Sequence, residues 1–184
     1  MLFTSGIGLL ALMSGCGTAS PAGDGQVMGA GSGYHYSSVS CAAPPSLAGH
    51  TVAVTLADMG MTPMMGGSAP RGGRMMLSGV PAQVPAGRVS LVASNRGWRD
   101  HELVILPLAA GARAGQLGIG AAGKVSEGTS VGEASKSCGD GAGEGIRAGT
   151  AGWTTVTLPA GRYELLCNLP DHYASGMYQE MDVM

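Results

Sequence analysis

The sequence contains little charge and few aromatic side chains. Asp, Glu, Lys and Arg make up 12% of the 184 residues, the formal net charge is -2, and aromatic residues account for 4%. No basic block is present, whereas a protein that recognises nucleic acid needs a basic patch or stripe. We therefore expect no nucleic-acid partner.

Closely paired cysteines are also absent. The four cysteines are Cys16, Cys41, Cys138 and Cys167, and no two of them form a C-x2-C pair. Structural zinc sites commonly contain such pairs. The spacing disfavours a structural zinc site, although a single Cys and His could still bind zinc.

One short segment near the C-terminus carries three metal-binding residue types at regular spacing. Cys167, His172 and Met177 form a C-x4-H-x4-M pattern. A blue-copper site needs two His and one Cys in a trigonal plane and a weak axial Met. The second His must come from elsewhere, and His101 is the candidate because it precedes the apolar run 103–106. Zinc could use the same Cys and His, but Met is a poor zinc ligand.

At these residues the chain resembles the cupredoxins, and within them the sulfocyanin and rusticyanin type. Three features carry the resemblance: the C-x4-H-x4-M loop, the N-x-G-x3-H-E-L stretch that begins at Asn95, and the segment 152–167 that leads into the loop. The resemblance implies an all-β Greek-key sandwich or barrel. It also implies one type 1 copper per chain, with the ligands His101, Cys167, His172 and Met177.

Two residues beside the predicted ligands are candidates for tuning the metal. Glu102 directly follows His101, and Asn95 resembles the Asn that braces the ligand loops of cupredoxins. The resemblance further implies that electrons leave through His172. Its small or apolar neighbours could form a weak docking patch of the kind that transient redox encounters use, namely Leu169, Pro170, Ala174 and Gly176.

The function implied is one-electron transfer between redox proteins of a respiratory chain by a monomeric carrier. Only four His are present, too few for the further copper centres of multicopper oxidases or nitrite reductases, so we expect no enzyme. The alternative is a copper chaperone or buffer on the cell envelope. It would use the thioethers of a Met-rich region, which suit copper(I) but also serve as adaptable packing: Met59, Met61, Met64, Met65, Met75 and Met76.

Residues 1–16 are predicted to be a signal peptide. The apolar run 2–13 is too short to span a bilayer, and small residues follow it. Residues 12–16 read L-M-S-G-C, similar to a bacterial lipobox, so Cys16 is predicted to be lipidated on the outer face of the cytoplasmic membrane. The alternative is a periplasmic or secreted protein whose cleavage removes Cys16.

The other two cysteines are predicted to form a disulfide. With Cys16 assigned to lipid and Cys167 to copper, Cys41 and Cys138 remain, in a compartment that permits oxidation. This bond would tie the N-terminal segment to the long central loop. Two buried free thiols are the alternative.

The remaining organisation follows from composition and periodicity. Residues 17–38 are rich in Gly, Ser and Ala and predict a flexible tether, which leaves 39–184 as the cupredoxin domain. Within it, 109–150 is a Gly/Ala-rich insertion, expected to cover one side of the sandwich and to hold a short helix near 131–136 or an extra hairpin. An antiparallel sandwich is predicted, with a hairpin joining the fifth and sixth of these strands: 50–57, 74–78, 88–94, 102–108, 153–158, 162–167 and 178–183.

Overall fold

The computed structural model describes residues 40–41, 46–58 and 75–184. These residues form ten strands and no helix. The strands are β1 (His50–Asp58), β2 (Met75–Val80), β3 (Gln83–Val84), β4 (Gly87–Asn95), β5 (Leu103–Pro107), β6 (Gly132–Ala134), β7 (Gly139–Asp140), β8 (Ala151–Leu158), β9 (Gly161–Leu166) and β10 (Tyr178–Val183). Each of the seven predicted strands is present, with bounds shifted by up to two residues.

Several predictions fall outside the described residues. They are the signal peptide 1–16, the lipidated Cys16, the tether 17–38 and most of the Met-rich region, of which only Met75 and Met76 are described. Among the residues that the structure does describe, no helix has the length and apolar character needed to cross a membrane.

Two five-stranded sheets make up the fold. Their strand orders are β2-β1-β4-β8-β7 and β3-β10-β9-β5-β6. The all-β sandwich prediction is confirmed, but the predicted antiparallel arrangement does not hold for three of the strand pairs. β1 pairs with β4, β3 with β10 and β7 with β8 in parallel. Between β1 and β4 the chain forms β2 in the same sheet and β3 in the other sheet. A connection of this length allows β1 and β4 to pair in parallel.

The predicted hairpin between β8 and β9 is also wrong. β8 pairs with β4 and β7, whereas β9 pairs with β10 and β5 in the other sheet. The Pro-Ala-Gly turn at 159–161 therefore carries the chain from one sheet to the other. The Tyr163 hydroxyl donates to the Pro159 carbonyl at 2.9 Å and fixes this corner. A turn signal between two apolar runs does not distinguish a hairpin from a corner between sheets.

Alternating apolar residues build the core between the sheets. On β1, Val52, Val54 and Leu56 point inward, as the period of two predicts, and on β10 Met181 and Val183 do so. Burial of apolar surface of this kind contributes roughly 25 cal/mol per Å². The core extends to Cys167 and Met177 at one end of the sandwich.

The insertion covers the outer face of the sheet that contains β5, as predicted. Val104 and Leu106 project from that face and pack in a second apolar cluster with Val125 of the insertion and Tyr173. Residues 103–106 are therefore buried on both faces of the sheet, which accounts for the uninterrupted apolar run at β5.

Two predictions about the insertion have different outcomes. The Cys41–Cys138 disulfide is confirmed, with the Cα atoms 5.3 Å apart. Of the two alternatives for the insertion, the short helix near 131–136 is wrong, because residues 132–134 form the edge strand β6 instead. Its residues pair antiparallel with β5, and Ala134 lies opposite Leu103. Pairing with β5 gives hydrogen-bond partners to backbone N–H and C=O groups that a helix of one turn would leave without intrahelical partners.

Candidate metal centre

Three predicted ligands meet at one end of the sandwich. The Nδ1 atoms of His101 and His172 are 3.2 Å apart, and the Sγ atom of Cys167 lies 3.3 Å from His172 Nδ1 and 3.9 Å from His101 Nδ1. All three side chains are buried. Each presents one donor atom to the same small space, although His101 is far from the other two in sequence.

The separations fit one shared ion. Nitrogen and sulfur donors lie about 2.0–2.3 Å from a metal such as zinc, and three such donors in a trigonal plane are roughly 3.5 Å from one another. The three observed distances scatter around that value. A thiolate and two imidazoles form the equatorial donor set of a blue-copper site, so the residues present fit copper.

Backbone hydrogen bonds close the loop 167–177 into a compact turn. The Cys167 amide donates to the Met177 carbonyl at 3.0 Å, and the Met177 amide donates to the His172 carbonyl at 3.2 Å. Gly176 has φ of +96°, a conformation that glycine adopts without steric cost. The three residues of the C-x4-H-x4-M pattern are therefore held together locally.

Met177 is fully buried directly before β10 and packs in the same core cluster as Cys167. That its thioether is the axial ligand stays a prediction.

The insertion anchors the other side of the same loop. The Asp171 amide donates to the Gly123 carbonyl at 2.9 Å. The Tyr173 hydroxyl donates to the buried carboxyl group of Glu164 at 2.9 Å. Burial raises the pKa of Tyr173 to about 12, so the hydroxyl keeps its proton. The loop that carries His172 is fixed from both sides.

Burial sets the protonation of the two donors in the loop. It raises the pKa of the Cys167 thiol to about 12, and the Glu102 amide, which donates to Sγ at 3.3 Å, opposes that rise. Burial, assisted by the nearby His101, lowers the pKa of His172 to about 4. His172 is therefore a neutral imidazole at neutral pH and ready to bind a metal. Cys167 must lose a proton on metal binding.

Asn95 braces the turn that leads to His101. Its Nδ2 atom donates to the carbonyls of Arg99 and Ile146, both at 2.6 Å, and its Oδ1 atom accepts from the Gly97 amide at 2.9 Å. His101 and Ile146 in turn exchange two backbone hydrogen bonds of 3.1 and 2.7 Å. These hydrogen bonds order the turn on the His101 side of the site.

Glu102 is buried beside the site. Its Oε1 atom has no hydrogen-bond partner among the described residues. Burial raises the pKa of Glu102 to about 7, although the charge of Lys124 opposes the rise. Its backbone amide, rather than its carboxyl group, contacts the Cys167 sulfur.

Asp58 is a site residue that the sequence reasoning missed. Its Oδ1 atom lies 2.8 Å from Nε2 of His101, on the side of the ring opposite to the donor atom. Burial would raise the pKa of Asp58, but hydrogen bonds from His101 and the Trp98 amide bring it below its usual value. The only sequence signal was an acidic residue directly after the apolar strand 50–57.

Comparisons with known proteins give distant structural matches. Neither a protein-family model nor a curated protein matches the sequence. Rusticyanin from Thiobacillus ferrooxidans is 20% identical, with a TM-score of 0.42 over 74% of this chain and 79% of that one. Auracyanin from the photosynthetic bacterium Roseiflexus castenholzii is 22% identical, with a TM-score of 0.41 over 58% and 87%. Auracyanin A, a "blue" copper protein from Chloroflexus aurantiacus, is 15% identical, with a TM-score of 0.43 over 73% and 98%.

Likenesses as distant as these carry no weight for the chemistry of the site, for which the donor atoms themselves provide the support.

Proposed function

We propose that this chain is a blue-copper electron-transfer protein. His101, Cys167 and His172 would hold one type 1 copper, and Met177 would be a further, weak ligand. The observation that supports this proposal is the triangle of two Nδ1 atoms and one Sγ atom, with sides of 3.2, 3.3 and 3.9 Å. When bound, copper would supply one-electron exchange between its two oxidation states.

Burial of the donors favours electron transfer over catalysis. A substrate would need an open approach to the metal, whereas His101 and Cys167 are fully buried and His172 is 7% exposed. The donors also sit at strand ends and in a braced loop. Rigid elements of this kind limit rearrangement between oxidation states.

His172 is the proposed exit for the electron, because it is the most exposed of the three equatorial donors. Around it, Pro170, Ala174 and Gly176 are exposed and Leu169 is half-buried. Asp171 is the exposed charged residue within this segment, and a small surface of this kind suits the brief encounters of redox partners. We propose that redox proteins of a respiratory chain dock there and that the carrier is a monomer.

The location proposed for this carrier is the cell envelope. The protein would be exported and either anchored by lipid at Cys16 or released into the periplasm or medium. The disulfide between Cys41 and Cys138 supports export, since such bonds persist in oxidising compartments.

A copper chaperone or buffer remains the alternative. It would depend on the Met-rich region, most of which lies outside the described residues. Met75 is buried in the core of the sandwich, which favours a packing role for that residue.

The proposed function is tested by adding copper(II) to the protein and to Cys167→Ser. The wild type should turn intensely blue, because the colour of such sites depends on the thiolate bond, and the variant should stay colourless. Reversible voltammetry with one copper per chain would support electron transfer. A colourless wild-type complex, or several tight copper ions per chain without reversible voltammetry, would contradict it.

A further inference from the structure

Asp58 contacts the ring of His101 at the nitrogen that does not face the other donors. Its Oδ1 atom lies 2.8 Å from Nε2 and the side chain is 2% exposed. An ionised carboxylate only accepts hydrogen bonds, so Nε2 must carry the proton. In the neutral ring, the other nitrogen, Nδ1, then presents its lone pair toward Cys167 and His172, which is the state a metal ligand requires.

The carboxylate is itself fixed in place. The Trp98 amide donates to both of its oxygens, at 3.0 and 3.1 Å. The Arg96 amide donates to the Leu56 carbonyl at 2.8 Å and holds the turn against the end of β1. Asp58 therefore has little freedom to leave His101.

Gly97 is required for this close approach. A Cβ atom at that position would lie 1.7 Å from Asp58 Oδ1 and 2.8 Å from its Cγ atom. Any larger residue would have to displace the carboxyl group or the turn. The Gly in the N-x-G-x3-H stretch thus has a physical role in the contact between Asp58 and His101.

We propose that Asp58 is a positioning residue for the metal centre. It selects the His101 tautomer with the proton on Nε2, and its negative charge strengthens the Nδ1 donor. Carboxylates that hold ligand imidazoles in this way fix the ring and raise its basicity. Copper(II) gains more than copper(I) from a more basic donor and a nearby negative charge, so Asp58 lowers the reduction potential. This last step rests on the proposed copper function.

The tautomer is tested first, on the metal-free protein. In the nitrogen-15 spectrum of wild-type protein, the neutral form of His101 should carry its proton at Nε2 rather than at Nδ1. In Asp58→Ala this preference should be lost, while Asp140→Ala, which changes an exposed Asp on β7, should leave it intact. An unchanged His101 spectrum in Asp58→Ala would overturn the proposal. Because no copper is involved, this result is independent of the proposed function.

The effect of the negative charge on copper binding is tested with Asp58→Asn, which removes the charge but keeps a hydrogen-bond acceptor. This variant also replaces Asp58→Ala if that protein fails to fold. Copper(II) affinity should fall about 10–100-fold, the usual loss when such a partner is removed, and copper(I) affinity should fall less. The reduction potential should therefore rise. Equal losses for the two ions would overturn this role of the charge. A wild type that binds copper without becoming blue would instead refute the proposed function.

Gly97→Ala tests the contact between Asp58 and His101 without changing either residue. It should lower copper(II) affinity in the same direction as Asp58→Asn and broaden the His101 tautomer population. Gly118→Ala is the matched control, because a Cβ atom there meets nothing within 4 Å. A Gly97→Ala protein with the wild-type tautomer and affinity would contradict the requirement for glycine.

Discussion

The loop 167–177 and the His101 side of the metal centre are constructed in different ways. The loop supplies Cys167, His172 and Met177 from one short segment that its own backbone hydrogen bonds close. His101, in contrast, depends on Asp58 at the end of β1, Asn95 at the end of β4 and the backbone of the insertion. One side of the site takes its three donors from a single segment, whereas the other takes one donor that residues remote in sequence hold in place.

This difference suggests a division of roles. The loop determines which donor atoms are available, because residue type and spacing are encoded together. The His101 side determines the orientation and protonation of the fourth donor through groups that are not ligands. Changes on the His101 side should therefore affect stability and metal binding together, whereas some changes in the loop should affect the metal alone.

The largest effect is expected for Asn95→Ala. The substitution removes three hydrogen bonds, those to the Arg99 and Ile146 carbonyls and that from the Gly97 amide, which should lower the free energy of unfolding by about 3 kcal/mol. Copper(II) affinity should fall as well. Urea unfolding of the metal-free protein measures the first effect.

Gln83→Ala provides the control for Asn95→Ala. Gln83 is exposed and makes one long hydrogen bond of 3.4 Å to Asp182, so the change should stay within about 0.5 kcal/mol. Equal losses in the two variants would show that the turn before His101 does not depend on Asn95.

A smaller effect concerns pH and the loop. Burial raises the pKa of the Cys167 thiol to about 12, so the thiol is protonated at neutral pH and must release one proton when it binds metal. His172, whose pKa falls to about 4, adds no proton near neutrality. Copper(I) affinity should therefore rise about tenfold per unit between roughly pH 7 and 9.

Competition with a chelator across this pH range measures the slope. Cys167→Ser is the control, because an alcohol stays protonated and its metal affinity should be nearly independent of pH. A wild-type slope near zero would mean that the thiolate is not a ligand.

The smallest effect is expected for Met177→Gln, because the axial bond is long and weak. The blue colour should persist and the reduction potential should fall, since an amide oxygen is a harder donor that favours copper(II). Voltammetry measures the shift. Met181→Leu, a similar exchange in volume at another buried Met, should leave the potential unchanged. An unshifted potential in Met177→Gln would show that Met177 is not the axial ligand.

Features that lie within one short segment, like the loop 167–177, could be predicted from the sequence. The strand 50–57 and the last strand are visible because their apolar residues alternate with a period of two. The C-x4-H-x4-M loop is visible because its donors are close in sequence. The Cys41–Cys138 bond followed from assigning the other two cysteines.

Long-range pairing was not predictable in this way. The parallel pairing of β1 with β4 and the corner after β8 depend on which sheet each strand joins. The sequence of a single strand does not indicate the sheet to which it belongs. β6 has only three residues and owes its structure to β5. Asp58 became a site residue only because the fold brings it to His101, whose sequence position is remote.

Copper X-ray absorption on the copper(II)-loaded protein tests the central claim most directly. A site built from His101, Cys167 and His172 predicts one sulfur and two imidazole nitrogens, each about 2.0–2.3 Å from the metal. The sulfur contribution should vanish in Cys167→Ser. A spectrum of the wild-type protein that contains only oxygen and nitrogen neighbours would contradict the account.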